Sequence, residues 1–370
     1  MNVRIEEDRE LRIAEHDGMA MVQLNRPKAL NALTLEMIRI LSGGLISWEN
    51  NKKVKAIVIN GAGRAFCAGG DIKAAYATGM DFRRGEGNEK VMALYYGEEY
   101  EMNRRLFHFR KPLIAFMNGI TMGGGFGVAG PCRFRVATEK TVFAMPEVGI
   151  GFFPDVGSVY FLNNCPHQTG TYLAVTGNSI GPEDMIYTGL ATHYIPSSIL
   201  QEVEEDLCRA MSGLKSPKGD SAAEQVAEVL EKFSSAPPKK SMLEQNAEAI
   251  EKCFAHNSIM EILEALRWQD SEWALDTART IMSRSPISVV VSLEHLRRAH
   301  GQDFDTVLAR DFILAQHFLK EHDFYEGVRA AVIDKDKQPQ WDPATLENIT
   351  EKDVARYFAP AAGTLEAFAI

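Results

Sequence analysis

The sequence predicts an α/β protein whose second half turns largely helical. Three observations carry this. Short β-prone runs alternate with amphipathic helical stretches through the first 150 residues, the pattern of an α/β core. Long amphipathic stretches dominate from about residue 200: 200–213, 221–234, 241–255, 258–281, 286–299 and 303–321. Pro- and Gly-rich breakers separate these runs at 215–220 and 234–238. The predicted division is a core with the functional site in 1–200 and a helical region in 201–370.

Each element has its own warrant. Residues 11–14 and 19–24 flank His16-Asp17-Gly18, and an Asp-Gly pair between β-prone runs predicts a hairpin. Thr34 reads as an N-cap, with Met37, Ile38, Leu41, Leu45 and Ile46 on one helical stripe. Residues 54–59 form a compact apolar strand that ends at Gly61-Ala62-Gly63. Helix is predicted over 89–109, then a buried strand over 113–117 after Pro112. Two more strands are predicted at 134–137 and 142–144, and a last helix from Glu351.

Composition bounds the function. The chain has 370 residues, enough for a large core, with 45% hydrophobic and 24% charged residues. A net charge of -10 argues against a nucleic-acid partner. The five cysteines, Cys67, Cys132, Cys165, Cys208 and Cys253, show no zinc spacing and sit among small or apolar residues, as in a reduced protein. No apolar run reaches the ~18–20 residues of a membrane span. The first eight residues are too acidic for a targeting peptide, so the expected compartment is the cytoplasm, or the mitochondrial matrix for a processed chain.

The candidate chemistry lies in the middle of the core. Phe143-Ala144-Met145-Pro146-Glu147 and Phe153-Pro154-Asp155 put two carboxylates in one apolar, Pro- and Gly-broken loop. Desolvation there should raise their pKa towards the range useful for acid/base work. Two glycine-bearing turns precede it, 64–72 and 120–125, each following a strand and entering a helix. Small residues let the main chain approach a ligand, and the first amides of a helix have no internal acceptor. Two such turns converging would form an oxyanion hole. Tight strand–helix packing explains either turn alone, but explains both together with the carboxylate loop less easily.

Other matches carry less. Residues 125–130 fit GxGxxG, but that fingerprint should open a βαβ unit, and two strands and a helix already precede it. Residues 177–181 fit GxSxG, yet the flanks read as helices and not as the strand a nucleophile elbow needs. Cys67 reads as a small buried residue.

The motifs resemble a known family. Residues 24–33, Ala65-Phe66-Cys67-Ala68-Gly69-Gly70-Asp71-Ile72 and Gly119-Ile120-Thr121-Met122-Gly123-Gly124-Gly125 look like the crotonase (enoyl-CoA hydratase/isomerase) superfamily. Residues 143–157, 133–140 and 323–330 are most similar to its 3-hydroxyisobutyryl-CoA hydrolase branch. The resemblance implies a spiral of ββα units and hydrolysis of a CoA thioester in valine degradation. It implies no cofactor, since CoA is part of the substrate, and no metal. Family members often form homo-oligomers; no nucleic-acid or membrane partner is implied. Carried over, the oxyanion amides are those of Ala68 and Gly124, and the catalytic carboxylates are Glu147 and Asp155. Lys28, Ala29, Leu30, Gly70, Asp71, Ile72 and Gly123 would border the substrate, and Glu99 sits where the hydrolase branch has a substrate-contacting acid. One departure is informative: hydratases of this superfamily carry a first catalytic Glu where this chain has Gly127. Hydration is thereby disfavoured, leaving hydrolysis or double-bond isomerisation.

Overall fold

Residues 9–86, 90–214 and 220–360 are described by the computed structural model. The chain forms two compact units and passes between them repeatedly. The first holds Met1–Gly70, Met102–Phe143 and Ile180–Met242; the second holds Asp71–Glu101, Ala144–Ser179 and Leu243–Ile370.

Nine strands form among the described residues: β1 Leu11–His16, β2 Met19–Leu24, β3 Ala56–Gly61, β4 Ala65–Cys67, β5 Leu113–Met117, β6 Ile120–Met122, β7 Phe134–Ala137, β8 Val142–Ala144 and β9 His193–Tyr194. In the first unit the main sheet runs β1-β2-β3-β5-β7-β9. Only the β1–β2 hairpin is antiparallel, turning on Asp17 and Gly18, both at positive φ. The other neighbours are parallel, from Met19 opposite Ala56 to Ala137 opposite Tyr194. A second, smaller sheet runs β4-β6-β8, with β4 and β6 parallel. It carries the two glycine turns on adjacent strands.

The expected boundary at residue 200 does not separate these units. Helices Leu200–Gly213 and Ser221–Phe233 pack Val203, Leu207, Met211, Val226 and Leu230 onto Val58, Ile114, Phe116 and Val136 of the main sheet. A sheet face of branched apolar residues must be covered, and these helices cover it.

The second unit is helical. It includes Ile72–Arg83, Pro286–Ala299, Phe304–Phe318 and His322–Val328, and most of Lys90–Phe107. Phe152, Phe153, Phe318 and Phe324 form an aromatic cluster with ring centroids 4.8–5.6 Å apart.

Several predicted bounds shift. The strand predicted over 54–59 is β3, two residues later. Ile46 is exposed, while Trp48 takes the last buried position of helix Leu35–Asn50: the stripe runs 37, 41, 45, 48, and Ile46 lies 100° past Leu45. The stretch 258–281 is two helices, broken where Asp270 takes φ 45°. The stretch 241–255 is also two, Met242–Gln245 and Ala247–Phe254. The breaker at 215–220 lies outside the described residues except for Asp220.

Candidate active site

In the first unit, the turn after β4 is stitched to residues 30–33. Leu30 and Asn31 both sit at positive φ, and the buried Asn31 amide group donates to the Ala62 and Ala65 carbonyls at 2.9 and 2.8 Å. Its Oδ1 accepts from the Arg26 N–H at 2.8 Å. Leu33 N–H donates to the Gly69 carbonyl at 2.8 Å. Cys67 is buried, with Sγ 3.1 Å from the Asn31 carbonyl, in keeping with a packing role. Lys28 and Ala29 are exposed on the 3-10 turn Pro27–Ala29 just before this stitch.

The two glycine turns lie against each other. A Cβ added to Gly69 would sit 3.5 Å from the Gly124 nitrogen, and one added to Gly125 would meet the Cys67 carbonyl at 2.1 Å. Gly123 turns at φ 50° into the buried helix Gly124–Ala129. Residues 125–129 of the GxGxxG match lie in that helix and Gly130 caps it, so the match is a close-packing element. The amides differ in availability. Gly124 opens its helix, where an N–H has no intrahelical acceptor. Ala68 N–H, in contrast, donates to the Leu30 carbonyl at 3.0 Å and is not free in this conformation. Two residues on, the Gly70 N–H makes no such bond among the described residues.

In the second unit, Asp71 caps the helix Ile72–Arg83, accepting from the Ala74 N–H at 3.3 Å. Glu147 opens the 3-10 turn Glu147–Ile150, which closes through Gly151 at φ 70°. A Cβ on Gly151 would meet the Asp323 carbonyl at 2.1 Å, and one on Gly327 would meet the Ile150 carbonyl carbon at 2.4 Å. Residues 150–151 therefore lie directly on the backbone of helix His322–Val328, which fixes the turn bearing Glu147.

Glu147 is 6% exposed and Asp155 5%. Tyr100 O–H donates to Asp155 Oδ2 at 2.7 Å. Glu147 Oε2 and Glu99 Oε1 are buried acceptors with no partner among the described residues. Burial raises the Glu147 carboxyl well above the usual range, and the neighbouring charges of Asp155 and Glu99 add to this. Burial likewise pushes Asp155 up to about 7, with the Asp311 charge adding and the Tyr100 hydrogen bond opposing. Glu99 is raised by burial and by Asp155. Three carboxyls thus share one desolvated region and cannot all ionise together. Such a group holds one carboxyl as acid beside another as base.

Tyr100 and Asp311 are contributors that lie outside the sequence motifs. Tyr100 alone leaves a signal: Tyr96 and Tyr100 stand one turn apart, flanking Glu99 on the same helix.

No group of three or more metal-binding side chains occurs among the described residues, and no helix there is long and apolar enough to cross a membrane.

Known proteins resemble this chain over almost its whole length. A family model described as enoyl-CoA hydratase/isomerase matches residues 19–358. The mitochondrial 3-hydroxyisobutyryl-CoA hydrolase of Homo sapiens is 40% identical over 343 residues, 91% of this chain and 85% of that protein. That of Rattus norvegicus is 41% identical over 352 residues, 94% and 88% of the two chains. Among solved structures, a carnitinyl-CoA dehydratase from Mycobacterium thermoresistibile superposes with a TM-score of 0.86 at 35% identity, covering 96% of this chain and 98% of its own. An enoyl-CoA hydratase from Rhodobacter sphaeroides gives 0.85 at 29% identity, covering 97% and 100%. With its parallel sheets, paired glycine turns and a family match spanning both units, the chain belongs to the enoyl-CoA hydratase/isomerase family.

Proposed function

We propose that this protein hydrolyses a CoA thioester, 3-hydroxyisobutyryl-CoA, to 3-hydroxyisobutyrate and CoA in valine breakdown. One observation carries the reading. Glu147 and Asp155 share a buried field, while position 127, the site of the first hydratase glutamate, is glycine. Adding water across an alkene needs two carboxylates around that water. Opening a thioester needs one oxygen nucleophile and a proton for the leaving thiolate. The similarity to relatives named as 3-hydroxyisobutyryl-CoA hydrolases supports the same choice.

The thioester oxygen is received by two main-chain amides, a contribution worth roughly 10²–10³ in rate per donor. Gly124 supplies one. For the other, Ala68 would first have to release the Leu30 carbonyl, so we assign the role to Gly70. Glu147, once ionised, either removes a proton from the attacking water or adds to the carbonyl carbon itself. In the second route the C–S bond breaks to leave an anhydride, which water then opens. Label recovered in Glu147 after a single turnover in H₂¹⁸O marks the covalent route with water opening the anhydride at the Glu147 carbonyl. Asp155, protonated to near neutrality, gives its proton to the departing sulfur. Glu99, whose buried oxygen lacks a donor, accepts from the substrate hydroxyl. Lys28, Ala29, Leu30, Asp71 and Ile72 border the CoA portion, and Gly123 lines the thioester. No cofactor is needed beyond the CoA of the substrate. The compartment is a reduced one, cytoplasm or mitochondrial matrix.

The test is free-thiol release from a panel of acyl-CoA thioesters, with wild type and Glu147→Gln side by side. Glu147→Gln should lower the rate by about 10²–10⁴ with folding and CoA binding retained. Near-normal turnover in that variant would refute its role.

A further inference from the structure

Asp155 sits at the start of a strained turn. Val156 follows it at φ 55° and Gly157 at φ 71°. The left-handed region is a genuine outlier for a β-branched residue, and such strain persists only where surrounding contacts enforce it. Ser158 N–H closes the turn on the Asp155 carbonyl at 2.9 Å. Gly157 cannot take a side chain, because a Cβ there would lie 2.3 Å from the Phe304 ring.

What enforces the turn is a buried, hydrogen-bonded His–Asp pair on the helices Pro286–Ala299 and Phe304–Phe318. Gly157 N–H donates to Asp311 Oδ2 at 2.7 Å. Asp311 Oδ1 lies 2.6 Å from His295 Nε2, and both side chains are completely buried. Stability alone is a weak reason for such a pair, since apolar residues of similar volume often serve as well. From the other side, Asp155 is gripped by the Tyr100 hydroxyl, whose ring lies edge-on to Phe312, the residue after Asp311.

We propose that Asp311, oriented by His295, is a positioning residue for Asp155: it clamps the strained turn through Gly157, opposite the grip of the Tyr100 hydroxyl. This rests on the catalytic role of Asp155 proposed above. The groups facing Asp155 are Tyr96, Glu99 and Tyr100 from one helix, Glu147 from its own loop and Asp311 from another helix. Those facing Asp311 are His295, Arg310 and Tyr100. The Asp311 charge disfavours ionisation of Asp155, whereas the Tyr100 hydrogen bond favours it.

The test measures kcat and KM for CoA release against pH in the full chain, for Asp311→Asn, Tyr100→Phe and Asp155→Asn. Asp311→Asn leaves only a neutral, weaker acceptor for the Gly157 N–H, no longer held as a carboxylate by His295, and carries no charge. Its kcat should fall by about 10–10² through misplacement of Asp155, with KM within about twofold. The limb of the profile governed by Asp155 should move to lower pH. Tyr100→Phe should move the same limb to higher pH. A merely structural role would move neither limb. An unmoved limb in Asp311→Asn, or a loss confined to KM, overturns the proposal. If Asp311→Asn does not fold, the apolar swap His295→Phe with Asp311→Leu removes the Gly157 acceptor outright; its kcat should fall at least as far, with the same shift of the limb and the same refutation. Asp155→Asn separates the two levels. If it turns over normally, the catalytic role of Asp155 fails; if it loses the limb while Asp311→Asn leaves the limb in place, only the positioning role fails.

Discussion

At the scale of single residues, the site holds acids where water would have ionised them. Asp155 is raised to about 7 in the fold, against an unfolded value near 3.9. The folded state therefore binds more protons than the unfolded state between those two pH values. Stability from this group is fully present below about pH 4 and is lost as pH rises through about 7. Asp155→Asn should accordingly raise the melting temperature relative to wild type at pH 8, and do so much less at pH 4. Thermal unfolding at the two pH values checks this, and a gain that did not depend on pH would speak against a raised Asp155. The pair Glu147 and Asp155 is legible in the sequence, because both lie in one apolar loop with Pro146 and Pro154 as breakers. Their supports are not. Tyr100 is 55 residues from Asp155 in the chain, and Asp311 is 154 from Gly157. No local pattern encodes such pairings; they arise only when helices far apart in the chain pack together.

At the scale of elements, glycine decides how near two backbones come. Gly327 in helix His322–Val328 leaves room for Ile150, and so for the turn that carries Glu147. Gly327→Ala would put a Cβ 2.4 Å from a main-chain carbon that cannot rotate away. The expected cost is about 1–3 kcal/mol of stability, with a fall in kcat as the turn shifts. Chemical denaturation together with a CoA-release assay reads both; unchanged stability would mean the contact is looser than this geometry. Elements with local codes can be read from the residues alone: the Asp17-Gly18 hairpin and the Thr34 cap, whose side chain accepts from Met37 N–H at 3.2 Å. Ile46 leaves the predicted stripe because five apolar residues in a row of helical positions do not reveal where the helix turns away from its core.

At the scale of the whole molecule, the chain is one family member from Met19 to Phe358 and two compact units by packing, each assembled from three segments. The compositional change near residue 200 is real, but it marks where strands end, not where a unit ends. A chain cut at residue 200 would leave Val58, Ile114, Phe116 and Val136 without their helical cover. It should aggregate or show molten behaviour, bound hydrophobic dye and lost near-UV dichroism, where the full chain shows neither. A cooperatively folded 1–200 fragment would restore the simple boundary.

The choice of reaction is tested most directly in one preparation given two substrates. Crotonyl-CoA reports hydration through loss of enoyl absorbance, and 3-hydroxyisobutyryl-CoA reports hydrolysis through free thiol. With no side chain at Gly127 to act as base or acceptor, and Glu147 and Asp155 both buried in one field, thiol should be released readily while the enoyl signal decays slowly. Efficient hydration with negligible thiol release would contradict the account and return this chain to the hydratases.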